Sequence, residues 1–461
     1  MSIDDVSVAE IRGLARERVR GAVLGPDDPG YEAARVVFLG SVDARPALIV
    51  RPADAADVAQ VVRLARESGL ELAVRGGGHS GAGHSTVEGG IVLDLRDLNG
   101  LDLDVPGRMA WAGAGLTAGE FTAAVGAHGL ATGFGDTGSV GIGGLTLGGG
   151  VGYLARAHGL TIDNLLAAEI VTADGSVLHV DAATHPDLFW AIRGGGGNFG
   201  VATRFQFRLR DLAQVVAGLL LLPATPQTVA GFVTAAQHAP DELTTIANVM
   251  PCPPMPVVPA EHHGELVIMA LVCYAGDAAA AEAVLAPILA LATPLVNLVH
   301  AGSYAELYPP DNPDYHPTAV SRTMFVQSVD EAAATTILDH LSASDASVRV
   351  AQLRALGGAV ARVPADATAY AHRACPVMVN VASFYDGPDD APVRLAWVEG
   401  LVRALDDGTP GAYVNFLADE GPARVRQAYP ERTWERLAAV KASYDPTNVF
   451  RRNQNIAPAQ S

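Results

Sequence analysis

A histidine stands in an unusual setting early in the chain: Val74-Arg75-Gly76-Gly77-Gly78-His79-Ser80, followed by Gly81 and then His84. A neutral imidazole is a nucleophile near pH 7, because its unperturbed pKa is about 6.5. Three glycines ahead of it let the backbone approach a ligand closely. His84 reads as a pocket or packing residue. Far along the chain, Tyr413 and Asn415 alternate in A-Y-V-N-F, and Gln352 and Arg354 alternate in V-A-Q-L-R-A. On an extended strand each pair falls on one face. Tyr413 is the first choice for a base that takes a proton from an O–H or N–H; the alternative is a core tyrosine bonded to backbone. A phenol with pKa about 10 does this only if that value is depressed or the transfer is concerted. Arg354 is a fixed cation that suits an acidic or carbonyl substrate, or equally a structural ion pair.

Glycine density is the second signal. Residues 133–152, GFGDTGSVGIGGLTLGGGVG, predict a segment that is mostly loop and wraps something closely, since each interior Gly costs roughly 0.5–1 kcal/mol relative to Ala. A second cluster runs from Arg193 to Gly200. Two stretches match G-x-G-x-x-G, Gly76–Gly81 and Gly195–Gly200. A dinucleotide fold needs strand, glycine turn, then helix. The first match has no helix after it and the second runs from helix into strand, so an NAD-type site is excluded. A phosphate loop ending in G-K-[ST] is absent. What remains is an extended ligand threaded between glycine loops whose N–H groups cradle an anion. A pyrophosphate at one loop and a large flat ring against another describe FAD.

The elements that position these groups follow from pattern. A strand and an amphipathic helix fill 47–65, strands follow at ELAVR, IVLDL and RMAWAGAG, and LTAGEFTAAVGAHG is helical. Short strands in this order predict a small α+β unit. A hairpin turns at Asp174-Gly175, HPDLFWAIRG is helical, and VATRFQFRLR is a strand. From about residue 212 the texture changes. GLLLLPATP, LVIMALVCYAG, RTMFVQSV, VRVAQLRALGGAV and VMVNVASFY read as strands of an antiparallel sheet backed by Ala-rich helices. The tail holds a strand (AYVNFLA), a helix (WERLAAVKASYD) and a loop (RRNQNIAP). The Tyr-rich run SYAELYPPDNPDYHP, 303–317, is a lid or a solvated loop.

Composition sets the outer limits. The 461 residues carry 31 Lys+Arg against 50 Asp+Glu, a formal charge of −19, which argues against nucleic-acid or anionic-membrane partners. Cys252, Cys273 and Cys375 are too far apart for a CxxC pair, so no disulfide framework and no metal site is expected. The start of the chain has no apolar signal segment, and no run approaches the ~18 apolar residues of a membrane span; a cytoplasmic location is expected. One lysine, Lys441, beside many arginines suits a GC-rich bacterial genome.

The segments VRGGGHS, GDTGSVGIGGLTLGGGVGYLARAHGLTIDN, RGGGGNFGVAT, YVNF and YDPTNVFRRNQNI, in that order, resemble the berberine-bridge-enzyme-like flavoproteins of the vanillyl-alcohol-oxidase superfamily. The resemblance implies an α+β fold: a two-part FAD-binding domain, 1–211 and 411–461, with a substrate domain of antiparallel sheet plus helices, 212–410, inserted between. It implies that His79 is bonded to the flavin 8α-methyl, with Arg75, Gly76, Gly77, Gly78, Ser80 and His84 around it. Thr137 stands where many relatives have a second-tether cysteine, so a single covalent attachment is expected. Gly138, Gly143, Gly144, Gly148, Gly149 and Gly150 belong to the same flavin loop. Gly197, Asn198 and Val201 come from the second cluster; Asn453 and Asn455 from the tail. Tyr153 is expected to contact flavin or close the pocket, and Val151 replaces an aromatic of several relatives.

The resemblance also implies that Val140 takes the place of the family's oxygen gatekeeper, where in relatives a valine leaves room for dioxygen; it favours an oxidase that yields hydrogen peroxide, although a valine that only packs the loop fits either enzyme type. Tyr413, Asn415, Gln352 and Arg354 lie on the substrate side, and the carboxylate or lysine that some relatives carry on the 352–354 strand is missing. The alternatives are a dehydrogenase with another electron acceptor and a flavin-binding protein without turnover. The expected partners are dioxygen and a small molecule, an alcohol, an amine or a natural-product scaffold, with a tilt towards secondary metabolism.

Overall fold

A computed structural model describes residues 7–309 and 312–460. The architecture is α+β, built on two sheets near the N-terminal half and one large sheet inserted after them.

The first sheet has four strands in the spatial order Ala22–Leu24, Leu48–Arg51, Ile91–Asp94, Leu72–Arg75. The last three are parallel, with Leu48 and Leu72 both opposite Ile91. Helix Ala55–Ser68 makes the crossover; Asp54 caps it by accepting from the N–H groups of Ala56 and Asp57, and Gly69 stops it at φ +71°. Its buried Val58, Val61, Val62 and Ala65 recur at helical spacing and seal one face of the sheet. Strand Leu72–Arg75 ends on a buried guanidinium: Arg75 Nη2 donates to Ala34 O (2.5 Å) and to Asp94 Oδ2 (2.9 Å). That ion pair ties together the ends of two parallel strands, and the Gly76–Gly78 turn leaves from this fixed point. Arg75, expected among the flavin residues, therefore faces Asp94 and anchors the turn from behind.

The second sheet has five antiparallel strands in the order Leu101–Asp104, Met109–Gly113, Val201–Arg208, Leu165–Val171, Val177–Asp181. The hairpin at Asp174-Gly175 forms as expected, with Gly175 at φ +81°. Phe121, Phe134 and Phe207 meet edge to face behind this sheet, with centroids 5.0–5.7 Å apart.

The inserted sheet has eight strands, with the order Val296–Asn297, Val215–Pro223, Leu266–Tyr274, Leu243–Pro251, Arg349–Ala355, Val377–Phe384, Ala319–Val326, and His300–Gly302 on its edge. Helices Pro226–His238, Glu331–Ala343 and Ala391–Leu405 cover one face, burying Val249, Leu353, Val379 and Val326. The other face carries a polar row in register: Asn248 opposite Gln352, Gln352 opposite Asn380, Asn380 opposite Thr323. Strand Leu243–Pro251, near the middle of the sheet, escapes the pattern reading, because residues of both of its faces are buried and no alternation marks it.

The glycine-rich segment 133–152 is mostly loop, as expected, around one short helix, Ile142–Gly148, in which a Cβ on Gly143 would crowd Ala114 O at 3.1 Å. Two expectations need correction. A-Y-V-N-F is not a strand; Gly411 at φ +119° turns the chain and Val414–Phe416 forms a 3-10 turn. The Tyr-rich run is not one loop either. Tyr304–Leu307 is a 3-10 turn, and Tyr304 and Tyr308 are buried, bonded to each other (2.9 Å) and through Tyr308 Oη to Gly135 O (2.8 Å). Pro310 and Asp311 of that run lie outside the described residues.

The tail closes the fold. Helix Glu431–Tyr444 carries Lys441, fully buried, whose Nζ donates to Asp445 Oδ2 (2.6 Å), Asn198 O (2.7 Å) and Phe450 O (2.9 Å). One ammonium thus joins the second glycine cluster to the tail. Among the described residues no helix is long and apolar enough to cross a membrane, and no group of three or more His, Cys, Asp or Glu side chains is placed to hold a metal ion.

Candidate functional site

Glycine turns from three elements and the tail enclose a cavity of about 440 Å³. The first wall is the turn after strand Leu72–Arg75: Gly76, Gly77, Gly78, His79, Ser80 and His84. The second is Thr137, Val140, Gly143 and Gly144, together with Asp136 and Leu145. Gly197, Asn198 and Val201 come from the second glycine cluster, and Asn453 from the tail. Two glycine loops cross backbone to backbone here. A Cβ on Gly77 would lie 2.3 Å from Gly141 N, and one on Gly141 would lie 2.2 Å from Gly77 N. Side chains at either position would push the two walls apart.

The donor set fits a flavin nucleotide. Gly144 and Gly197 line the cavity, and a Cβ on either would meet no protein atom within 4 Å; the space before them belongs to the cavity. Ser85 Oγ and Asn453 Oδ1 are buried, line the cavity, and have no protein partner. Buried polar atoms of this kind are normally satisfied, so these are groups for a ligand. Asn453 Nδ2 is engaged with Gly197 O (3.1 Å) and Phe450 O (3.0 Å), which aims the amide. Asn198, by contrast, spends its side chain on Gly195 O, Gln454 O and Ile456 N, and so staples loop to tail. His84 is held neutral: burial, with Arg452 adding, lowers its pKa to about 4.

Tyr413 and Asn415 both reach the cavity, although not from a strand. Tyr413 is buried, and three N–H donors converge on its Oη: Gly150 N at 3.0 Å, Val151 N at 3.2 Å and Asn415 Nδ2 at 3.0 Å. Asn415 Nδ2 also donates to Leu145 O (2.9 Å). Three donors on one phenolic oxygen suit the anion. Burial nonetheless raises the Tyr413 pKa above the ordinary phenol value, and the three donors and the Arg354 cation offset this only in part. Gly148 lets Asn415 in, since a Cβ there would lie 1.8 Å from Asn415 Oδ1. Gly148, Gly149 and Gly150, expected to touch the flavin, stand off the cavity wall; Gly148 makes room for Asn415, Gly149 lies against the Tyr370 and Tyr413 rings, and Gly150 N donates to Tyr413 Oη.

Gln352 and Arg354 do not line the cavity. Arg354 is buried; it pairs with Asp136, donates from Nε to Gln352 Oε1 (2.8 Å), and sits over the Phe416 ring at 5.1 Å. Since a guanidinium only donates, Gln352 must turn its oxygen to Arg354 and its amide N–H to Asn248 Oδ1 (2.9 Å). A carboxylate therefore meets this strand, but it comes from the glycine loop and pairs directly with Arg354. Tyr153 is buried, its Oη donating to Asp136 O (3.3 Å), and Gly138 and Asn455 also stand off the wall. The sequence reading missed Asp136, and it missed Ser321, Asn380 and Phe416, which line the cavity. Asn380 could have been found as the polar interruption of V-M-V-N-V; Ser321 and Asp136 gave no signal.

Comparison with known proteins agrees with this construction. Residues 46–181 match the family described as FAD binding domain, and residues 412–457 match that described as berberine and berberine like. An uncharacterised FAD-linked oxidoreductase, YgaK, of Bacillus subtilis (strain 168) is 31% identical over 459 residues, covering 96% of this chain and 98% of that protein. The chain belongs to the berberine-bridge-enzyme-like FAD-linked oxidoreductases. (R)-6-hydroxynicotine oxidase of Paenarthrobacter nicotinovorans is 32% identical over 462 residues, covering 96% of this chain and 98% of its own. The crystal structure of 6-hydroxy-D-nicotine oxidase from Arthrobacter nicotinovorans superposes with a TM-score of 0.83 at 30% identity, covering 96% of this chain and 98% of that one. This FAD-linked oxidoreductase is thus an enzyme of the vanillyl-alcohol-oxidase fold.

Proposed function

We propose that the protein is an FAD-dependent oxidase whose flavin is held by one covalent bond, from His79 to the 8α-carbon. FAD held there would supply a two-electron acceptor for a hydride from the substrate carbon, with dioxygen as the final acceptor and hydrogen peroxide as the product. The observation that carries the reading is the meeting of His79, Val140 and Tyr413 on one cavity wall-set. His79 supplies a nucleophile at a turn free of side chains. Thr137 has no sulfur to offer, and none of the three cysteines lines the cavity, which supports a single attachment. Val140 is half-buried and short, which supports room for dioxygen beside a flavin that would sit there. Tyr413 accepts the substrate's O–H or N–H proton, with Gly150, Val151 and Asn415 stabilising the charge that this oxygen carries. Arg354, neutralised by Asp136, orients the loop that bears Thr137 and Val140.

The substrate class is a small organic alcohol, amine or natural-product scaffold; a relative named (R)-6-hydroxynicotine oxidase supports a small organic substrate. The chain divides into a flavin part, 1–211 and 411–461, and a substrate part, 212–410.

The test has two arms. Acid precipitation should leave the pellet yellow, and the flavin peptide should contain His79; a colourless pellet overturns the tether. Reduced enzyme mixed with air-saturated buffer should reoxidise rapidly with one peroxide per flavin, and Val140→Leu, which adds a methylene, should slow that step. Slow reoxidation of the wild type overturns the oxidase reading.

A further inference from the structure

One aromatic side chain off the cavity wall touches His79. Phe38 lies on the segment after helix Tyr31–Arg35 and stacks face to face on the imidazole, with centroids 4.1 Å apart and planes 20° from parallel. The pair is fixed from both sides. Phe38 N–H donates to Gly78 O (3.2 Å), the carbonyl just before His79, and Gly78 takes φ +78°, a left-handed turn that a side chain would strain. On its other side Phe38 meets Tyr315 edge to face, centroids 6.2 Å apart. Tyr315 belongs to the inserted part of the chain, and that run is fastened to the Phe38 segment by Gly40 N–H to Pro317 O (3.0 Å) and by His316 Nδ1 to Val37 O (3.1 Å). Nothing in the pattern of Val36-Val37-Phe38 announces such a role.

We propose that Phe38 is a positioning residue for the attachment of the flavin to His79; the inference rests on the tether reading above. In that step an imidazole nitrogen bonds to the 8α-carbon. One methyl C–H and the imidazole N–H are broken, both hydrogens leave as protons, and the two electrons released pass through the ring system to dioxygen, which becomes hydrogen peroxide. The imidazole carries positive charge after the new bond begins to form and before its proton departs. A ring face stacked against it stabilises that charge, since cations are attracted to the negative face of an aromatic ring. The same stack removes the freedom of the imidazole to turn out of the plane in which it meets the methyl group.

Flavin-free protein given FAD in air provides the assay: samples taken over time are precipitated in acid, and flavin retained in the pellet is read by fluorescence. Phe38→Leu keeps an apolar side chain and removes the ring face; Phe38→Trp keeps the face. Phe38→Leu should attach flavin about tenfold more slowly, with unchanged non-covalent FAD affinity in the His79→Ala background and an unchanged melting temperature. Phe38→Trp should recover a rate near wild type. Attachment at the wild-type rate in Phe38→Leu overturns the proposal. So does an equal loss in both variants accompanied by a fall in melting temperature, which would make Phe38 a packing residue only. Wild-type protein that never retains flavin in acid overturns the tether itself, an outcome distinct from either.

Discussion

Replacing Asn415 by leucine isolates the electrostatics of the proton acceptor. Of the three N–H groups on Tyr413 Oη, those of Gly150 and Val151 are backbone, and only that of Asn415, at 3.0 Å, can be deleted. Leucine has the same number of side-chain heavy atoms and the same branching, so it follows the outline of the amide while removing its donor. A hydrogen bond to a charged group contributes about 1.5–3 kcal/mol, and 1.4 kcal/mol is a factor of ten. The variant should therefore hold about ten- to a hundredfold less phenolate at a given pH. Burial already raises the Tyr413 pKa and the Asn415 donor lowers it, so deleting the donor moves the pKa further up. Anaerobic mixing with the fastest substrate of a panel of amines, alcohols and sugars gives the rate of flavin bleaching. That rate should rise with pH in the wild type. In Asn415→Leu the rise should move to higher pH, with the rate at neutrality about ten- to a hundredfold lower and the loss shrinking as pH increases. Tyr413→Phe should show no such rise. The lost bond to Leu145 O costs stability, about 1 kcal/mol, which melting curves report separately. A uniform loss of rate at every pH, with the rise unmoved, refutes the role given to Tyr413.

His84 makes stability depend on pH: its folded pKa is about 4 against an ordinary 6.5, so the unfolded chain takes up the proton first. Stability should fall by up to about 3 kcal/mol as pH drops from about 6.5 to about 4. His84→Gln should flatten that fall in denaturant titrations, and parallel curves would contradict it. Gly141→Ala, whose Cβ would meet Gly77 N at 2.2 Å, should lower stability by about 1–3 kcal/mol. Gly144→Ala, which meets nothing within 4 Å, should keep the melting temperature of flavin-free protein but weaken FAD binding, measured by fluorescence quenching. Lys441→Met leaves Asp445 buried without its cation and should cost about 3–5 kcal/mol in denaturant unfolding.

Much of the fold was legible because its signals are local. Asp54 and Gly69 bracket a helix, Asp174-Gly175 makes a hairpin, and the texture change near 212 coincides with the start of the large sheet at Val215. Strand Leu243–Pro251 was not legible because a strand buried on both faces loses its period. At the site, His79 and the glycines were readable, since a close backbone approach leaves glycine as its trace in the sequence. Tyr413 and Asn415 were found for an incomplete reason: they meet through the turn at Gly411 and the space left by Gly148, not through strand alternation. For Arg354 the sequence left a substrate cation and a structural ion pair equally open, because its partner, Asp136, lies 218 residues away, a separation that no window spans. Phe38 was invisible for the same cause.

The sealed position of Lys441 reaches beyond stability. With the chain's only lysine at 0% exposure, every basic side chain on the surface other than histidine is a guanidinium. Succinimidyl esters, aldehyde fixatives and amine-coupled resins would find no ε-amine to grip while the molecule stays folded. Once the tail lifts, that one ε-amine comes into view, and labelling there counts how often the tail opens.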